Sequence, residues 1–256
     1  KRQDLDLAIT HVSKSKNPEL QGNNYDHLMK LTNYDWNKDH EQRSNSIYVN
    51  HEKHSNRLAL LHGAIVTAIV DNKMKEDGPI IAEVMLAWAK AGVMLNTLTS
   101  KEISKLKDEG KVDKLCYGGA KAKGDKPCIS HRPHEAQIYG ATYIQQAYLM
   151  RDQFNKEQFK IIDEYIDALY KKYIKPWAVK ELTTKKHARG FIQMADGTIS
   201  VLSYLAWKDE PVAAAEWIKK GISKADKVVY QDGYIHNNSF RGVRAVSYTH
   251  LTLPTT

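Results

Sequence analysis

Apolar residues along the chain recur at helical spacing far more often than they alternate with polar ones. Residues 57–72 (RLALLHGAIVTAIVDN) are apolar enough to predict a buried helix. Asp77-Gly78-Pro79 is expected to stop one segment and open the next, with Pro79 suited to a first helical turn. Residues 80–98, rich in Ala, Met, Leu and Trp88, predict that next helix. Residues 100–111 predict a charged amphipathic helix capped by Ser100. A further helix is expected over 134–154, carrying Tyr139, Tyr143 and Tyr148. Asn155 is expected to cap a helix over 156–173, where Phe159, Ile162, Tyr165, Ile166 and Leu169 keep helical spacing, and Pro176 to end it. Residues 199–207 and 211–229 form the last two expected helices, joined by Lys208-Asp209-Glu210. Strand signals are scarce: no run alternates cleanly and no Asn-Gly hairpin occurs.

Helix after helix with short connections implies an all-α fold built as an array of antiparallel helical hairpins. Such arrays close into bundles, solenoids or incomplete (α/α) toroids, and helical periodicity does not choose among them. One helical domain is expected over residues 1–245. Between the helices, residues 115–133 (LCYGGAKAKGDKPCISHRP) carry Gly, Pro and Lys without periodicity. They read as a long loop of the kind that often serves function.

Composition narrows the partners. The 256 residues carry 38 Lys+Arg against 30 Asp+Glu, a formal net charge of +8. That balance favours polyanions, although lysines also simply solvate the outer faces of helices. No nucleic-acid motif or Arg-rich arm is present. The longest apolar run, residues 58–70, is broken by His62, Gly63 and Thr67 and is too short to span a bilayer. Cys116 and Cys128 fit neither a CxxC redox pair nor a four-ligand zinc site. They allow a loop disulfide if the protein is exported, or two free thiols. The chain starts at Lys1, from which a removed leader or a truncated N-terminus is expected. Residues 246–256 (VSYTHLTLPTT) resemble a translated sequencing adapter, so a non-native tail and a natural chain cut near Ala245 are expected.

The chemically richest stretch is residues 232–245, DGYIHNNSFRGVRA. Asp-Gly signals a turn, Asn237 and Asn238 suit turns and caps, and Arg241 and Arg244 share one face of a following helix. Amide, guanidinium and imidazole groups thus gather at one helix start. The same spacing also fits a capped loop with two solvated arginines. A second cluster is SHRPHE over 130–135, where His131 and His134 flank a helix start whose dipole favours a bound carboxylate. Tyr139 and Tyr143 lie one and two turns beyond, His187 could line the same cleft, and one His of the cluster could equally cap or pack. His51 and His54 precede the first buried helix, and His62, on an apolar helix, is expected in the core. Tyr34, Trp36 and Trp88 could stack on sugar rings, but aromatics on helices more often pack inside. No GxSxG, P-loop, GxGxxG or HExxH motif occurs.

The 232–245 segment resembles the matching stretch of the alginate lyases, particularly polysaccharide lyase family 5 and its relatives. Asp232, Gly233, Tyr234, Ile235, Asn237, Arg241, Arg244 and Ala245 follow that family's order, and Trp217 with its helix fits upstream. The resemblance covers roughly 30 residues and implies an incomplete (α/α) toroid. It implies Arg241 as the ligand of a uronate carboxylate, and Tyr248, inside the adapter-like tail, falls where the family has its catalytic Tyr. The family's Asn-Asn-His-x-Tyr-Trp motif would fall near Gln193 and Met194, where no His occurs. A sister family using another His, with His134 the best candidate, is therefore expected.

The activity so implied is β-elimination on a 1,4-linked uronate polymer such as alginate, polymannuronate or glucuronan. His134, Arg241 and Tyr248 are the expected catalytic residues. His131, Asn237, Asn238, Arg244, Tyr139, Tyr143, Gln193 and His187 are the expected substrate contacts. No cofactor is called for. His131, His134 and Glu135 offer a metal reading, since calcium or zinc serves some lyases, but match no recognised ligand spacing. The expected partner is an acidic polysaccharide, with no nucleic acid or membrane, and the resemblance implies a periplasmic or secreted location. Two other readings stay open: a non-catalytic helical module that binds acidic polysaccharide, and a glycoside hydrolase on the same scaffold.

Overall fold

The helical spacing in the sequence becomes helix almost throughout the computed structural model. It describes residues 42–43, 46–47, 51–95, 97–111, 128–129, 133–183 and 191–225, with side chains for 57–95, 97–99, 101–111, 136–179 and 197–223. Among these, three short strands, β1 (Gln42–Arg43), β2 (Ser46–Ile47) and β3 (Cys128–Ile129), are joined by α1 (His51–Val70), α2 (Met74–Lys90), α3 (Ser100–Asp108), α4 (Pro133–Leu149), α5 (Lys156–Leu169), α6 (Lys175–Thr183), α7 (Phe191–Trp207) and α8 (Pro211–Ala225). The fold is all-α. Its small sheet, absent from the sequence reading, pairs β1 with β2 antiparallel and β2 with β3 parallel. The chain divides into two compact units, Lys1–Tyr173 and Ile174–Thr256.

In the first unit, α1 and α2 form one hairpin and α4 and α5 another. The turn at residues 71–73 is short, and Asn72 takes a left-handed φ of 56° there. Two links fix how the hairpins stack. Gln158 Nε2 donates to Glu83 Oε1 at 2.6 Å, and Trp88 Nε1 donates to Tyr165 Oη at 2.9 Å. Positions rise together on α2 and α5, so those helices run parallel. Within the second hairpin, Gly140 faces Leu169 while Tyr143 meets Tyr165, so α4 and α5 are antiparallel. It follows that α1 and α4 also run parallel, as do the strands β2 and β3 that lead into them.

Leu58, Leu61, Ile65 and Ala68 make the buried stripe of α1, and Ile162, Tyr165, Ile166 and Leu169 that of α5. Each large side chain so buried contributes about 1.5–3 kcal/mol against exposure, before chain entropy is counted. Gly140 sits mid-helix where the two helices approach. A Cβ built there would lie 3.4 Å from Leu169 Cδ1 and 3.5 Å from Cδ2, which is ordinary contact. Gly140→Ala is therefore expected to stabilise the unit by about 0.5–1 kcal/mol through helix propensity, read as a higher denaturant midpoint with unchanged slope.

Several helix boundaries differ from the sequence reading. Gly78 and Pro79 lie inside α2 instead of between two helices; Gly78 is buried where the Gln153 side chain crosses, leaving no room for a Cβ. The N-cap of α3 is Thr99, not Ser100, and it forms a capping box with Glu102. Asn155 caps α5 as expected, its side chain accepting from the backbone N–H groups of Glu157 and Gln158. Pro176 does not end the helical path. That path widens into a π turn at Tyr170–Ile174, and Pro176 is the second residue of α6, directly after the π turn. In the second unit, α7 packs against both α6 and α8, burying Ala178, Val201, Leu205 and Trp207. Gly221 lets α8 approach α7 closely, a Cβ there meeting Thr198 Cγ2 at 3.0 Å.

Candidate functional site

The helix that should present the His cluster starts where its proline allows. Pro133 opens α4, and its fixed φ and absent N–H suit a first helical position. His134 and Glu135 follow in that first turn. Parallel pairing of β2 with β3 sets Ile47 against Ile129, four residues before the starts of α1 and α4 respectively. The first turns of α1, with His51 and His54, and of α4, with His134, thus belong to the same end of two neighbouring helices.

The tyrosines downstream of His134 behave differently from each other. Tyr139 is half-buried. Tyr143, expected to contact substrate, belongs to the core instead: it is fully buried, and its hydroxyl donates to the Met85 carbonyl at 2.7 Å. Its ring stacks with Trp88 at 6.0 Å between centroids and meets Tyr165 edge-on at 5.1 Å. Trp88 is likewise core and not a sugar platform. His62 shows the opposite error: it is exposed, because it sits on the face of α1 away from the Leu58–Leu61–Ile65 stripe.

A network of buried hydroxyls ties the turn after α2 to α5, and the sequence reading missed it. Tyr165 Oη donates to the Val93 carbonyl at 2.6 Å while accepting from Trp88 Nε1. Tyr173 Oη lies 2.9 Å from the carbonyls of Met94 and Leu95 and 2.5 Å from that of Thr97. Lys172 Nζ also reaches the Leu95 carbonyl at 2.6 Å. These donors hold a turn that needs left-handed backbone at Gly92 (φ 60°) and Met94 (φ 71°). The available signal was Gly92 in a short apolar turn, whose inward carbonyls must find donors.

Burial holds these tyrosines in their neutral form. It raises the pKa of Tyr143, with a smaller push from Tyr165. It raises Tyr165 against the lowering effect of the Trp88 hydrogen bond, and it raises Tyr173, helped by the negative charge of Glu102. In the unfolded chain the same groups ionise near their ordinary value of 10.0. The native state therefore keeps its protons while the unfolded state loses them, and stability present below about pH 10 falls above it. Thermal melts across alkaline pH should show the melting temperature dropping from about pH 10 upwards, and replacing Tyr165 or Tyr173 by Phe should flatten that drop.

Gln193 lies in the first turn of α7, in the second unit. His131, His187, Asn237, Asn238, Arg241, Arg244 and Tyr248 lie outside the described residues, as do Cys116, Tyr34 and Trp36. Trp217, on α8, is half-buried with Lys220 Nζ 5.2 Å from its ring centroid. No group of three or more His, Cys, Asp or Glu able to hold a metal is found among the described residues. No helix among them is long and apolar enough to cross a membrane. No family model matches the chain, and no curated protein or solved structure does.

Proposed function

We propose that this chain is a helical polysaccharide lyase that cleaves a 1,4-linked uronate polymer, alginate or glucuronan, by β-elimination. The observation that carries the reading is the order Asp232, Gly233, Tyr234, Ile235, Asn237, Arg241, Arg244 and Ala245, with Trp217 upstream. Two features support it: helical hairpins stacked in parallel, as an (α/α) toroid stacks them, and a first helical turn that carries His134. The toroid, the polymer and a periplasmic or secreted location are parts of this proposal.

In the mechanism, Arg241 pairs with the uronate carboxylate, and Asn237 or Asn238 donates a hydrogen bond to it. Withdrawal of that negative charge acidifies the C5 proton and stabilises the enolate-like charge that develops. His134 accepts the C5 proton. The C4–O bond breaks as the C4–C5 double bond forms, and a tyrosine hydroxyl protonates the departing oxygen. The +8 net charge raises the local concentration of the polymer.

Mass spectrometry of the products after incubation with the polymer tests this reading. A 4,5-unsaturated terminal uronate, one water lighter than the hydrolytic product, is expected. A saturated terminus would replace the lyase by a hydrolase. Polymer that is bound but uncut would replace it by a binding module.

A further inference from the structure

One side of the second unit is apolar and open. α7 carries a single charged residue, Asp196, among its 17. A helix so apolar all round is expected to be covered all round. Packing against α6 and α8 buries Ser200, Val201, Leu205 and Trp207, yet Ile199 is 51% exposed and Ala206 is exposed with it. The open side continues onto α8. Gly221 of α8 faces Thr198 of α7, and the short turn at 208–210 makes the two helices antiparallel. Each residue turns a helix by about 100°, so the residues that follow this facing pair, Ile199 and Ile222, point to the same side of the hairpin. Ala215 and Ile218, seven and four residues before Ile222, share its face. Ile222 is 57% exposed and Ile218 45%, and Ala215 is exposed between them and the turn. Ile199 and Ala206 of α7 with Ala215, Ile218 and Ile222 of α8 therefore make one continuous apolar face.

We infer that a second copy of this chain docks on that face, the two α7–α8 hairpins closing into a four-helix bundle about a two-fold axis, with α8 antiparallel to α8 of the other copy. The exposed charges beside the face select this arrangement. Glu216 precedes Lys219 by three residues, and both are exposed. Antiparallel pairing centred near Ile218 sets Glu216 of each copy beside Lys219 of the other, twice by symmetry, whereas parallel pairing in register sets like charge against like. The same pairing lays Ile222 of one copy over Ala215 of the other, large against small, and brings the two Ile218 side chains together at the axis. From the 15 residues of α8 and the spacing of packed helices, the face measures about 20 Å by 20 Å. That is less than the roughly 800 Å² each partner gives to a standard interface, so a weak dimer is expected, half formed at on the order of tens of micromolar. The lyase reading plays no part in this inference.

Analytical ultracentrifugation of the full chain over a concentration series tests the inference. A shift from the monomer mass towards twice that mass is expected, with nothing larger, because a two-fold face is used up by one partner. Ile218→Glu sets two carboxylates together at the axis and should weaken the dimer by at least about 100-fold. Ile69→Glu, at a residue of similar exposure on α1, should leave it unchanged. Glu216→Lys and Lys219→Glu should each weaken it by about two- to fivefold, and the variant carrying both exchanges should recover the original affinity. Melting curves at dilutions where the monomer prevails read the folding of each variant separately from its association. A mass that stays at the monomer value up to roughly 500 µM, growth beyond the dimer, or a dimer indifferent to Ile218→Glu overturns the proposal. Failure of the double exchange to recover what the single exchanges lose overturns the antiparallel arrangement.

Discussion

Replacing Arg241 by Ala should lower kcat/KM on the uronate polymer by roughly 10²–10³-fold, the loss seen when one donor to a developing oxyanion is removed. The argument is electrostatic. The proton to be abstracted sits beside a carboxylate, and without a cation on that carboxylate the developing charge has nowhere favourable to go. Because the guanidinium acts more strongly on the transition state than on the bound polymer, the fall should appear chiefly in kcat. Arg241→Lys should recover part of the activity, since it restores charge but not the planar two-point fork. His134→Ala should cost about 10²–10⁴-fold as the loss of a general base, with polymer binding retained. Initial rates of the two alanine variants against the unaltered protein read both effects, and unchanged kcat in either removes that residue from the chemistry.

The largest effect on stability should come from Trp88→Ala, at about 3–5 kcal/mol. Trp88 is 1% exposed, stacks with Tyr143 and donates to Tyr165 Oη, so it joins α2 to both helices of the second hairpin. Truncating it opens a cavity at that junction and removes the hydrogen bond that orients Tyr165 towards the Val93 carbonyl. Tyr148→Ala, at a residue 47% exposed on α4, should change stability by no more than about 0.5 kcal/mol. Denaturant unfolding of both variants measures the contrast. Equal midpoints would mean that the Trp88 cluster does not hold the two hairpins together.

The parts of the fold that were legible in the sequence are those set by local periodicity and capping. The apolar stripe of α1, the Asn155 cap and the spacing of Ile162, Tyr165, Ile166 and Leu169 depend on neighbours in the chain, and they appear as expected. What periodicity does not encode is which side of an element faces a partner. His62 lies in a strongly apolar run, yet falls on the face of α1 away from the Leu58–Leu61–Ile65 stripe and is exposed. Tyr143, two turns after His134, reads as a substrate contact, but it is buried by partners remote in sequence, the Met85 carbonyl and Tyr165. Asp77-Gly78-Pro79 reads as a break with Pro79 in a new first turn, and Pro176 as a helix end, yet helix runs through both prolines, Pro79 inside α2 and Pro176 second in α6. The strand pairing that aligns α1 with α4 was illegible for a similar reason: pairs of two residues each leave no alternation to detect. Of the candidate site, the position of His134 in a first turn was legible from Pro133, while the neighbouring position of His51 and His54 required the long-range register of β2 with β3.

The most direct measurement of the central claim is a time course of ultraviolet absorbance from the unsaturated uronate, with polymannuronate, polyguluronate and glucuronan offered separately. A steady rise with one of the three, lost in Arg241→Ala and in His134→Ala, is the result expected of a uronate lyase and names its polymer. A flat trace with all three, from folded protein that still binds a polymer, would contradict the lyase reading.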